Sequence, residues 1–434
     1  MGNRRLVSSI EKYSGSALVC VGDVMLDHFV YGDVVRISPE APIPVLSVDH
    51  DQFMLGGAGN VVRNLTSLGA KVVFVTVTGD DDAAGVIVRL LASLPNCEPH
   101  VIRDSRRPTT IKTRYLSHGQ QLLRVDSENA SPLAAEVFDE VIGCFRSCLS
   151  GVDVVLLSDY AKGVLSGDYS QRLIAAGRDA AKPIYVDPKG RDFSRYRGAS
   201  LIKPNLKELS EATGLPISGD ADIENAARRL IDDCGTPAVL VTRGASGMML
   251  VRENEPAASF RSRAREVYDV SGAGDTVAAA LALSAAAGFS MEDSVEVACV
   301  AAGLVVGKVG TATLTQSELM RELESTGVFS SEEKIIGLNE ARLRIHLWRK
   351  MGLSVGFASG YFGVATAASV GLLRQAKQRC DRLIVAISGA SDQHDRSSVL
   401  ASFASVDLVI PCEDAGAAGL IEELRPDIVI GSID

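Results

Sequence analysis

Val267-Tyr-Asp-Val-Ser-Gly-Ala-Gly-Asp-Thr276, followed by the Ala-rich run 277–288, decides how the rest of the chain is read. The pattern predicts a strand ending at Val270, a tight turn through Gly272 and Gly274, and a helix that begins at once. Such a helix start turns unbonded N–H groups and the positive end of its dipole toward the loop, which makes an anion hole. Asp275 falls at that start. Its carboxylate can take a proton from an attacking hydroxyl while the amides stabilise charge on a transferred phosphoryl group. The competing reading is a plain helix cap, a role Asp often fills. A dinucleotide-binding loop is excluded, because the third Gly of GxGxxG is Val277 and a carboxylate inside the loop repels a pyrophosphate. No GxxxxGK[ST] run occurs in the chain.

Working outward, short β-branched runs at 17–21, 72–77, 152–157, 184–187 and 238–242 each end in polar or Gly residues and alternate with amphipathic stretches. This is the α/β pattern, and in such sheets ligands bind beyond the carboxyl ends of the strands. Asp23, Asp159 and Asp187 stand at those ends. Two stretches differ. Residues 29–48, punctuated by Pro39, Pro42 and Pro44, and the alternating 109–126 predict β-strands outside the main sheet, suited to a small lid over a site. The composition turns polar between about 318 and 340, read as a linker, and a second αβ pattern follows. Its predicted elements are strands at 353–358, 382–387 and 407–411 and a helix at 370–379. The expected domains are 1–320, a linker at 321–345, and 346–434.

The balance of 44 Lys plus Arg against 54 Asp plus Glu gives a net charge of −10, which argues against nucleic acid or an anionic membrane as partner. Any phosphate must be held by a local device. The 8 cysteines include no CxxC pair and predict reduced thiols, Cys144 and Cys148 sharing one helix face. With no apolar leader, and with 277–287 far short of the roughly 20 residues that span a bilayer, the expectation is a soluble cytoplasmic protein.

Two further segments carry chemistry. In Gly56-Gly-Ala-Gly-Asn60 the small residues admit a ligand close to the backbone, and Asn60 can both donate to and accept from sugar hydroxyls; a structural helix-entry loop reads equally well. In Lys203-Pro-Asn-Leu-Lys-Glu208, Asn205 and Glu208 have capping-box spacing, and equally suit ordering Mg²⁺ with its waters near nucleotide phosphates.

Together these segments resemble the ribokinase-like carbohydrate kinases, through GGAGN at 56–60, NLKE at 205–208 and DVSGAGDT at 269–276. VGDVMLDHFVYGDVVRISPEAPIPV at 21–45, LSDYAKGVL at 157–165 and VDPKGRDFSRYRGA at 186–199 narrow the likeness to the kinase half of the bifunctional heptose-7-phosphate kinase/heptose-1-phosphate adenylyltransferases. The resemblance implies a three-layer α/β sandwich with a small β lid, then a truncated Rossmann-like nucleotidyltransferase domain. It implies phosphorylation of D-glycero-D-manno-heptose 7-phosphate at O1 by ATP with Mg²⁺, in ADP-heptose and lipopolysaccharide core synthesis. In parts of the family K⁺ is a further cofactor, and the extra strands pair across a homodimer.

Carried over by motif, Asp275 is the base and the amides of Gly272, Ala273 and Gly274 form the anion hole. Asn205, Leu206, Lys207 and Glu208 contact the nucleotide, with Asn205 and Glu208 holding Mg²⁺ through water. Asp23, Asp27, Gly57, Asn60 and Asp159 belong to the sugar, and Lys112, Arg114, Arg124, Lys162 and Lys189 to its phosphate. The second half departs from the family. Where GxFDxxHxGH is expected, the chain reads Gly360-Tyr-Phe-Gly-Val-Ala-Thr-Ala-Ala-Ser369, so Gly363, Thr366 and Ser369 replace the Asp and both His. The basic loop after 387 is shorter than the family pattern, and the Ser/Thr-rich segment beyond 434 is missing. The expectation is a kinase with a silent adenylyltransferase domain. The alternatives are an enzyme that keeps both activities, a kinase for another sugar phosphate, and a scaffold.

Overall fold

In the computed structural model the β-branched runs become the strands of a central sheet; residues 6, 9–263, 269–308, 310–326, 334–350, 352–362, 367–389, 392–412 and 416–432 are described. The chain divides into two compact units, Gly2–Leu323 and Glu324–Asp434. The first unit contains β1 (Ala17–Gly22), β2 (Val24–Ile37), β3 (Pro44–Gly57), β4 (Lys71–Thr78), β5 (Cys97–Arg103), β6 (Ile111–Ser117) and β7 (Gln120–Ser127). It continues with β8 (Val154–Ser158), β9 (Ile184–Asp187), β10 (Leu201–Ile202), β11 (Ala238–Thr242), β12 (Met248–Arg252) and β13 (Ala258–Phe260).

Nine strands form one sheet in the order β13-β12-β11-β10-β9-β8-β1-β4-β5. Every pairing from β11 across to β5 is parallel, and β12 and β13 close the edge antiparallel. The faces of β1 show the layering. Val19 and Val21 join a core with Phe138, Val141 and Phe145 of the helix Ala135–Cys148, while Leu18 and Cys20 are buried outside that cluster. On the sheet's other face lie the helices Ala58–Ser67 and Ala273–Ala286. The second of these is Ala-rich and buried along nearly its whole length, as an all-apolar helix must be. The result is a three-layer sandwich.

After β1 the chain winds to β4 and β5 on one side, then returns to β8 on the other, so strand order reverses between β1 and β8. A crevice opens at such a reversal. Asp23 and Asp159 follow those two strands directly.

The two expected outlying stretches form a separate four-stranded sheet, β3-β2-β6-β7. β2 is buried over its first four residues and exposed toward its tip, so this sheet projects from the core as a lid. Two sequence expectations need correction here. Asp269 and Val270 are irregular rather than strand, and 264–268 lie outside the described residues. The stretch 321–345 is helical where described as far as Thr326 and again from Leu338, within the helices Gln316–Thr326 and Leu338–Lys350. Apolar positions on those helices (Leu319, Leu323, Ile345, Trp348) are buried, which a polar average over the stretch conceals.

The second unit has β14 (Val355–Gly360), β15 (Arg382–Ile387), β16 (Leu408–Pro411) and β17 (Ile428–Ser432), all parallel in the order β16-β15-β14-β17. The first strand starts two residues later than expected, and the following helix is Ala367–Lys377. All 8 cysteines are free thiols. No helix among the described residues is long and apolar enough to cross a membrane.

Candidate active site

The helix Ala273–Ala286 begins at Gly272, whose φ of 79° lies in the left-handed region that glycine adopts without strain. A side chain there would also press to 2.9 Å from Asn60 Nδ2. The turn therefore brings Asp275 directly onto Asn60, which donates from Nδ2 to Asp275 Oδ2 at 2.7 Å. The other carboxylate oxygen, Oδ1, accepts from the Tyr160 hydroxyl. Thr276 continues the network, donating to Asn64 Oδ1 at 3.0 Å, and Asn64 donates back to the Asn60 carbonyl at 2.9 Å. Burial pushes the Asp275 carboxyl up to about 6; the Tyr160 and Asn60 hydrogen bonds and the Lys203 charge pull it down, while Asp187 pushes it further up. A carboxylate poised near neutrality suits a general base.

Tyr160 is held by its loop. Asp23 is buried and accepts from the backbone N–H of Tyr160, Lys162 and Val164, each at 3.0 Å. Asp159 accepts from Ala161 N at 2.7 Å, from Tyr196 at 2.6 Å, and pairs with Arg195 at 2.9 Å. Ala161 sits at φ 55°, a left-handed conformation that costs a non-glycine residue about 1 kcal/mol or more. Arg107 clamps the same loop by donating to the Lys162 carbonyl at 2.6 Å.

Beside Asp275 opens a cavity of about 690 Å³, lined by Lys203, Asn205, Glu208, Gly274, Asp275 and apolar residues including Val277, Met248 and Val306. That volume falls in the range of cofactor and nucleotide sites. Lys203 is buried and pairs with Asp187 at 2.9 Å. A Cβ on Gly274 would lie 3.9 Å from its ammonium, so this cation stands at the mouth of the helix. Burial raises the Asp187 carboxyl and the Lys203 charge opposes that.

Residues 16–318 match the pfkB family carbohydrate kinase. The chain belongs to that family. Along nearly its whole length it is also similar to bifunctional protein HldE of Rhodospirillum rubrum, 44% identical over 430 residues that cover 96% of this chain and 87% of that protein. HldE of Paramagnetospirillum magneticum is likewise 44% identical, over 99% of this chain and 91% of its own. Likenesses of this extent place the chain among the HldE proteins. In structure it resembles a ribokinase of Arabidopsis thaliana complexed with ribose and ATP, with a TM-score of 0.56 and 24% identity over 71% of this chain and 98% of that one, which shows a shared fold.

Within this pfkB-type frame the predicted residues separate into groups. Asp275, Gly274, Ala273, Asn205, Glu208, Asp159 and Lys189 line the nucleotide-sized cavity. The Ala273 amide is already spent on the Val270 carbonyl at 3.2 Å, so the expected three-amide anion hole is not intact. Asn205 and Glu208 form the full capping box, and Glu208 also pairs with Lys189 at 2.8 Å. Lys189 thus lines the cavity, held there by Glu208. Leu206 packs on the core, and Lys207 is exposed, 3.8 Å from Glu211; neither lines the cavity. Asp23 has three amides on its carboxylate and anchors the loop, where a sugar ligand was expected. Asn60 spends its Nδ2 on Asp275, and its Oδ1 accepts from Arg63 at 3.3 Å.

At the lid, Asp27 pairs with Arg114 at 2.6 Å, Arg124 with Asp126 at 2.9 Å, and Lys162 with Glu128 at 2.8 Å. Burial holds the Lys112 ammonium below its ordinary range among Asp126, Lys162, Glu128 and Arg124. Gly56 makes room for Asp27, since a Cβ there would meet Asp27 Oδ2 at 2.3 Å, and Gly57 precedes the helix Ala58–Ser67. Sequence reasoning missed Tyr160, Lys203 and Arg63. Each lies beside a residue it did single out: Tyr160 follows Asp159, Lys203 precedes Pro204, and Arg63 is three places after Asn60. Only folding reveals that they converge. Gly363 and Thr366 lie outside the described residues, and Ser369 is in the first turn of Ala367–Lys377.

Proposed function

We propose that the chain transfers the γ-phosphoryl group of ATP to O1 of D-glycero-D-manno-heptose 7-phosphate, on the way to ADP-heptose. The observation that carries this reading is a buried Asp275 at a helix start, flanked by a nucleotide-sized cavity that contains Lys203. Asp275 takes the O1 proton, O1 bonds to the γ-phosphorus, the bond to the β,γ-bridging oxygen breaks, and ADP leaves. Lys203 and the helix start stabilise the charge on the transferred group. Lys112, together with Arg124 and Lys162 once they leave Asp126 and Glu128, holds the acceptor's own phosphate.

Asn205 and Glu208 line the cavity, where they would face the waters of a Mg²⁺ carried in on the nucleotide. That ion supplies charge neutralisation at the phosphates. Exposed Val35, Ile37, Ile43 and Val48 on the lid support a homodimer formed through it, which sedimentation at micromolar concentration reads. Free thiols at every cysteine and the use of ATP fit a cytoplasmic location.

For the second unit we infer loss of nucleotidyl transfer. Thr366 and Ser369 stand where the resemblance calls for imidazoles, and hydroxyls do not supply imidazolium charge opposite a triphosphate. The name bifunctional, carried by the relatives, is the competing reading. One experiment decides both points. Heptose 7-phosphate with Mg-ATP is followed for ADP, and heptose 1-phosphate with Mg-ATP for pyrophosphate. ADP without pyrophosphate is expected; pyrophosphate release refutes the silent domain, and absence of ADP refutes heptose 7-phosphate as acceptor.

A further inference from the structure

We propose that Tyr160 is a positioning residue for the base: its hydroxyl fixes the plane of the Asp275 carboxylate and keeps that group ionised in a buried site. The inference rests on the reading of Asp275 as base, and deepens it. A buried carboxylate without donors holds its proton through neutral pH. Here each oxygen has one donor, Tyr160 on Oδ1 and Asn60 on Oδ2, so the carboxylate cannot rotate without breaking a bond to a charged acceptor. Each oxygen keeps a second lone pair, and those remain for the acceptor hydroxyl.

The two donors have different supports. Asn60 comes from a regular helix, whereas Tyr160 comes from a loop whose conformation is over-determined. Asp23 binds the amides on both sides of Ala161, Asp159 binds the amide of Ala161 itself, and Ala161 is kept left-handed. These bonds fix where the Tyr160 backbone stands, at the carboxyl end of β8, and the hydroxyl then meets Asp275 across the cavity wall. Asp23 and Asp159 therefore act through Tyr160. This explains why two buried carboxylates are committed to a loop beside the site.

The test is the pH profile of kcat/KM for ADP release. Tyr160→Phe keeps the ring and removes the donor. Its acid limb is expected to move up by about one pH unit, with activity about fivefold down near pH 6, about twofold down near pH 7, and recovering toward wild type above about pH 8. A purely structural role lowers activity at every pH and leaves the limb in place; that outcome overturns the proposal. Incorporation of 3-fluorotyrosine at position 160 makes a stronger donor of nearly equal size and moves the limb the opposite way, so it decides the matter alone if the Phe variant does not fold. A ¹³C carboxyl titration of the substrate-free enzyme, with the Asp275 signal assigned through Asp275→Asn, reads the same shift without any sugar. If wild type makes no ADP, the proposed reaction fails while this titration still decides the role of Tyr160.

Discussion

The two units are both built on parallel strands and fill the space at the strand ends in opposite ways. In the first, the ends of β8, β9 and β10 lead to Asp159, Asp187 and Lys203, and an open cavity lies beside them. In the second, the ends of β14 and β15 are bridged by Arg396, which is buried, donates to the carbonyls of Tyr361, Ser388 (3.0 Å) and Gly389 (3.1 Å), and lies 4.4 Å over the Tyr361 ring. The buried cation of the first unit, Lys203, pairs with the Asp187 carboxylate at the cavity, whereas that of the second donates to backbone carbonyls. Shared architecture does not carry shared chemistry; the side chains at the strand ends do.

The largest effect expected is on the first unit. Asp275→Asn should lower kcat for ADP release by roughly 10²–10⁴-fold with little change in KM for ATP, because the lost group acts on the acceptor proton. Steady-state kinetics checks this, and wild-type turnover in the variant breaks the contrast at its strongest point. Next is Arg396→Met, expected to destabilise the second unit by about 2–3 kcal/mol through orphaned carbonyls. The single Trp, Trp348, is buried in that unit beneath Arg382, so its fluorescence in a urea titration reports on that unit. An unmoved transition means that the Arg396 bridge holds nothing.

The pH response is smaller, about tenfold per unit. Asp275 rises from an ordinary carboxyl value to about 6 in the folded protein, so kcat/KM should fall with each pH unit below about 6. Stability runs the other way. A raised folded value favours the protonated form, so Asp275 and Asp159, also pushed up to about 6 by burial and then by the Asp23 charge, stabilise the fold below about pH 4. That contribution is lost as pH rises through 6. Thermal melts at pH 4.5 and 7 beside the rate profile test the opposition. The smallest expected effect is none: Thr366→His with Ser369→His should release no pyrophosphate, because the phosphate-facing surroundings of an imidazole pair are not rebuilt by two substitutions. Measurable pyrophosphate would erase the difference between the units.

Much was settled by sequence alone. Short β-branched runs ending in polar or Gly residues gave away the main-sheet strands, Pro punctuation and alternation the lid stretches, and Gly272 and Gly274 the turn into the Asp275 helix, since those signals depend on neighbours in the chain. Asp275 and Asn60 were both singled out, yet the bond between them joins residues 215 positions apart. Tertiary structure decided the rest. It placed Asp23 on the amides of the 160–164 loop and Lys189 on the cavity wall, because each found a partner that no spacing predicts: a loop turned back by Ala161, and a capping Glu208. It also brought Tyr160 and Lys203 to the site. A side chain's type fixes what chemistry it can do; only the close-packed fold fixes what it meets, and burial then sets its charge.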